Sequence, residues 1–282
     1  MTAAILLGPP IDPTMLHAAM AAHLDPMPFD RGREAALRQQ LSERVRRSAE
    51  AHRGLLTVRR EDGAWSAPAQ GLSRRLLRQD PGMRIELLRL DANAVLRWPA
   101  DALAHEVFVL RGELALEGDG TALALLPRHG LCVRASGAPE RWRAVGAEAL
   151  VYVRHRLVAL ERLYPAEARW WSAAQGAPPA GGAAGPVWRP LVAGVDVACL
   201  FGQGRVVSML VRLAAGASMS GHGHRIDEDC IMLDGELFVG DILIRAGDFQ
   251  MAPCGVRHGT SFSDVGGMFY FHGALPGASE PA

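Results

Sequence analysis

The chain has 282 residues, 49% of them hydrophobic, and its thirty basic side chains balance thirty acidic ones at a formal net charge of zero. That balance excludes a global field for nucleic acid or acidic membranes, and the apolar content excludes wholesale disorder. Every basic residue is arginine, which excludes Schiff-base and lysine general-base chemistry.

The length predicts about two domains. At the N-terminus, "MTAAILLGPPIDP" lacks a charged leader region, and its apolar run is too short for a signal core or a membrane span. The four cysteines, Cys132, Cys199, Cys230 and Cys254, form no CxxC pair and fit a reducing compartment. The expectation is a soluble cytoplasmic protein with no nucleic-acid or membrane partner. Residues 1–53 read as an irregular, proline-punctuated segment followed by a helix over "DRGREAALRQQLSERVRRSAEAHR". Asp30 is its expected N-cap, and Leu37, Leu41, Val45 and Ala49 recur on one face. Its arginines form the solvated face, and the helix is the surface on which a protein partner is expected.

From residue 54 to 160 the pattern changes to short β-like runs: "LLTVRR", "RIELLRL", "VFVLRG", "LCVRA" and "ALVYVRH". A linker is expected over 161–186, which contains "QGAPPAGGAAGP", and strand-like runs resume over 187–277. The two β regions repeat one another. "LLRL" at 87–90 matches "LVRL" at 210–213, and "VFVLRGEL" at 107–114 matches "CIMLDGEL" at 230–237, both 123 residues apart. A single β module has been duplicated.

The second copy carries the chemistry. Gly216, His222, His224, Glu228 and Gly235 are spaced G-x5-HxH-x3-E-x6-G, and "GDFQMAPCGVRH" reads G-x5-P-x-G-x2-H and ends at His258. Alternate side chains of a strand face one way, so His222 and His224 project together, and Glu228 returns to that face after a turn. The glycines suit turns of positive φ and Pro253 fixes another turn. Three imidazoles and one carboxylate suit a single divalent transition metal such as Zn, Fe, Mn, Ni or Cu.

These two segments resemble the motif patterns of the cupin superfamily, except that Phe262 stands where the family often has asparagine. The resemblance implies a mainly β chain. Its two tandem cupin barrels, of the double-stranded β-helix or jelly-roll kind, follow the N-terminal α-helix. It also implies that His222, His224, Glu228 and His258 bind the metal inside the second barrel, beside a small-molecule ligand, and that barrel edges pair in a homodimer. The last ninety residues look like the cupin domains of ChrR-type anti-sigma factors. The His-x3-Cys-x2-Cys zinc motif of those regulators is missing here, because no cysteine precedes Cys132.

Carried back by 123 residues, His222 falls on Pro99, His224 on Asp101 and Glu228 on His105, and the segment "GLCVRASGAPER" (130–141), set against "GDFQMAPCGVRH", places Arg141 opposite His258. Proline cannot ligate and a guanidinium repels a cation, so a degenerate module without its ion is expected. Three functions stay open. One is a mononuclear metal-dependent dioxygenase or related oxidoreductase with a small organic substrate. Another is a non-enzymatic regulatory or stress-sensing cupin whose metal is structural or redox-responsive. The third is a non-catalytic bicupin in which barrel pairing is the function and the metal a staple.

Overall fold

The computed structural model describes residues 31–97, 104–118, 121–135, 140–157, 169–172, 187–203 and 206–274. The expected helix spans Arg31–His52; its expected cap, Asp30, lies outside the described residues. Leu37, Leu41 and Val45 are 55%, 54% and 67% exposed, so the apolar stripe faces solvent like the arginines beside it. Among the described residues no helix is long and apolar enough to cross a membrane.

The β region, residues 50–282, is one compact unit. It holds two sheets of matching order. One runs Arg169–Ser172, Gly130–Ala135, Ala104–Arg111, Ala149–Arg156, Met83–Leu90, Leu72–Asp80 and Ser66–Ala69. The other runs Leu56–Val58, Phe249–Ala252, Glu228–Val239, Gly267–Ala274, Val206–Leu213, Val195–Gln203 and Trp188–Val192. In each module a smaller set of strands faces this sheet, for instance Val95–Arg97, Glu140–Ala144, Leu114–Gly118 and Thr121–Leu126 in the first. The architecture is two tandem jelly-roll modules.

Two short strands cross the expected module boundaries. Leu56–Val58, within the expected first module, pairs with Phe249–Ala252 of the second. Arg169–Ser172, within the stretch expected to be linker, pairs with Gly130–Ala135 of the first. Each of these strands closes an edge of a large sheet, satisfying backbone groups that would otherwise be open to intermolecular pairing.

Strand alternation builds three cores. Val107, Val109, Val151 and Val153 point into the first module, and Val211, Met232 and Phe269 point into the second. The intervening residues, including Phe108, Tyr152, Phe249 and Tyr270, form a third core between the modules. Burial on both faces explains the continuous apolar runs such as "VFVL".

That third core encloses a quasi-symmetric polar lock. The Tyr152 hydroxyl donates to Asp229, whose other oxygen lies 2.9 Å from Arg154 Nη2. At the matching positions the Tyr270 hydroxyl donates to Glu106, which also accepts from Ser208 Oγ at 2.7 Å and lies 3.1 Å from His272 Nδ1. Burial and the acidic neighbours push the Tyr152 and Tyr270 phenols well above their usual range, so both remain donors.

Burial alone would raise the Glu106 carboxyl. The His272 and Arg154 charges, with the His272 and Tyr270 hydrogen bonds, instead hold it well below its ordinary 4.5. A depressed acid contributes stability that is complete above its unfolded value and is lost as pH falls toward the folded one. The free energy of urea unfolding is therefore expected to fall below about pH 4.5, and the Glu106→Gln variant to lose part of that dependence. A variant as acid-sensitive as the wild type would remove Glu106 from this account.

Candidate metal centre

His222 sits on the two-residue strand His222–Gly223, directly opposite His258 on Arg257–His258. His224 follows two residues later, and Glu228 opens the strand Glu228–Val239. One ligand atom from each of the three histidines lies within 4.8 Å of the others. Glu228 Oε2 is 2.7 Å from His224 Nδ1 and 3.6 Å from His222 Nε2. All four residues expected from the sequence therefore meet at one mouth of the second barrel. The His222 side chain is 47% exposed and that of His224 only 1%, so the cluster opens to solvent on the His222 side.

Glycines make the approach close enough. Gly216, Gly235, Gly247 and Gly255 all adopt positive φ. At Gly235 a Cβ would lie 2.2 Å from the Gly266 carbonyl oxygen. Gly273 acts differently, by leaving space: a Cβ there would lie 2.6 Å from Glu228 Cγ. Sequence reasoning missed Gly273, because its value appears only once its strand is paired beside Glu228.

The electrostatics favour a cation. Burial would raise the Glu228 carboxyl, yet hydrogen bonds from His222 and His224 and their charges hold it down to about 2. His258 is shifted down, first by burial. Its Nδ1 donates to the Gly259 carbonyl at 2.7 Å, and His222 Nδ1 donates to the Ser220 carbonyl at 3.3 Å. Each bond leaves the Nε2 lone pair of that ring available. His224 Nδ1 faces the Glu228 carboxylate, whereas its Nε2 is buried without a hydrogen-bond partner among the described residues, an arrangement that is costly unless something else occupies the lone pair. The donor set fits a divalent transition ion.

The first module is built differently at the same corner. Pro99 and Asp101 lie outside the described residues. His105 is buried, with Nδ1 3.0 Å from His155 Nδ1, and His155 Nε2 is 2.8 Å from Glu86 Oε1. Strand pairing places His155 where the second module has Gly273, so an imidazole fills the space that Glu228 uses there. The expected match of Arg141 to His258 is corrected. Trp142 pairs with Leu96 as Ser261 pairs with Met219, which sets Arg141 against Thr260 and not against His258. Arg141 is exposed. The gapless alignment missed a difference in length in the preceding turn.

Among residues of the same strands, Met232 is buried in the core, Phe262 stacks on Phe238 with centroids 4.7 Å apart, and Thr260 is exposed.

Residues 184–277 match the ChrR cupin-like domain family. Comparison with curated proteins finds no matching sequence. Among solved structures, a candidate glyoxylate-induced protein from Pseudomonas aeruginosa aligns with a TM-score of 0.62 and 14% identity, covering 81% of this chain and 92% of that one. A candidate dioxygenase from Nostoc punctiforme aligns at 0.60 and 17%, covering 82% and 85%. A point mutant of oxalate decarboxylase from Bacillus subtilis aligns at 0.54 and 13%, covering 78% and 77%. At these identities the likeness establishes the fold, which is that of the cupins.

Proposed function

We propose, for a cupin whose C-terminal module matches the ChrR cupin-like family, that His222, His224, Glu228 and His258 hold one divalent transition metal and that the centre is a mononuclear oxidoreductase site of the dioxygenase type. The observation that carries this reading is the convergence of three imidazoles and a carboxylate, with His224 Nε2 buried and unpartnered among the described residues. The candidate dioxygenase and the oxalate decarboxylase among its structural neighbours support it.

A bound ion supplies Lewis acidity and open coordination positions for a small oxygen-rich substrate. The protein supplies the rest. Ser220 and Gly259 carbonyls orient His222 and His258, and Glu228 stays ionised against its histidine neighbours. A regulatory role is the second reading, favoured by the exposed apolar stripe of the Arg31–His52 helix as a partner surface.

Elemental analysis of the purified protein is expected to find one transition-metal equivalent per chain. Oxygen uptake with diketone or phenolic substrates is expected to depend on that metal. Metal without uptake across such a panel would favour the regulatory reading, and protein without metal would end both.

A further inference from the structure

The second barrel buries a polar pair beside its metal corner. Gln250 is 5% exposed. Its register partners are Cys230 on one side and Thr57, from the exchanged strand, on the other. Cys230 packs on the interior core of this module, whereas the flanking Phe249 and Met251 belong to the core between modules. Gln250 therefore faces the barrel interior. Its Nε2 donates to Thr57 Oγ1 at 3.2 Å, and its carbonyl oxygen has no hydrogen-bond partner among the described residues and is not sealed from solvent. The matching positions of the first module are Cys132 and, by register, Trp170. The polar pair occurs only in the module with the histidine cluster.

We infer that Gln250, oriented by Thr57, is a specificity-determining residue whose carbonyl accepts a hydrogen bond from a small hydroxy-carboxylate held at the proposed metal. The inference rests on the metal reading above. A divalent ion with three neutral imidazoles and one carboxylate keeps a net positive charge, which attracts an anionic group such as a carboxylate. Glu228 pairs with Ala252, so Gln250 lies one alternate-residue step, about 6.8 Å, further in. A ligand of two to four carbons bridges such a gap. A neutral carboxamide favours a hydroxyl over an ammonium group, which would need a counter-charge. Asp229 is instead turned into the inter-module lock, and Asp248, two residues before Gln250, is held by Arg59 and the Arg60 and Arg245 amides.

The test titrates the metal-loaded protein by calorimetry with glycolate, 3-hydroxypropionate and 4-hydroxybutyrate, each against its O-methyl ether. The best hydroxy acid is expected to bind at least tenfold more tightly than its ether. Gln250→Met is expected to bring that ratio within twofold, with metal content unchanged and an unfolding midpoint equal or higher. Thr57→Val is expected to lower the ratio while leaving the carboxamide in place, and it serves should the first variant fold poorly. Full metal content with no hydroxyl preference at any length would overturn this inference alone, as would a preference that survives in both variants. Wild-type protein holding no metal would overturn the metal reading and this inference with it.

Discussion

Replacing His222 or His258 with alanine is expected to reduce the metal bound to the purified protein to a small fraction of wild type, while His105→Ala leaves it near wild type. The contrast follows from geometry. His222 and His258 face each other across one strand pair, with Glu228 and His224 beside them. Removing one imidazole leaves three donors, and the carbonyl that oriented it loses its partner. In the first module the corresponding corner is closed by protein: His105 meets His155, which meets Glu86. Glu86 accepts the Nε2–H of His155, so His155 Nδ1 accepts from His105, and the chain of polar groups is satisfied without an ion. Metal content by elemental analysis decides the matter. Equal loss in the His105 and His222 variants would show that the wrong module had been ranked first.

The second large effect concerns the contact between modules. Asp229→Ala is expected to cost about 3–5 kcal/mol, because it strands a charge in the third core. Arg154 is 1% exposed and Asp229 is fully buried, so water cannot take over from the missing carboxylate. Against a typical total of about 5–15 kcal/mol, that loss threatens folding at physiological temperature. A paired change of Asp229 and Arg154 to leucine is expected to cost less than the single alanine, since no lone charge remains. Arg212→Ala breaks a surface pair whose side chains are 52% and 40% exposed, and it is expected to change stability by less than about 1 kcal/mol. Urea unfolding of the wild type and these three variants measures the series. An Asp229→Ala variant as stable as Arg212→Ala would mean that the lock contributes nothing.

Much of the site was legible because its information is local. HxH on one strand, a carboxylate four residues on and a histidine after a glycine-proline turn are short-range patterns, and alternation alone puts their side chains on one face. The duplicated order of the sheets was legible for the same reason, through the 123-residue repeat. Pairing between distant strands was not. Nothing near Gly273 in the sequence points to Glu228, and nothing near Thr57 points to Gln250, because strand exchange joins segments almost two hundred residues apart. Arg141 shows the limit in miniature, since a change of length in one turn moved the alignment and only backbone pairing reveals the shift.

The sequence by itself determined the helix at Arg31–His52, the two β modules and the clustering of His222, His224, Glu228 and His258 in the second of them, since each rests on periodicity or fixed spacing along a single stretch of chain. Only the tertiary structure decided that each large sheet takes an edge strand from beyond the expected module limits. The same holds for His155 filling the corner that Gly273 leaves open, and for Asp229 and Glu106 binding the modules together. These depend on which strands lie side by side, a choice made by burying apolar faces over the whole chain.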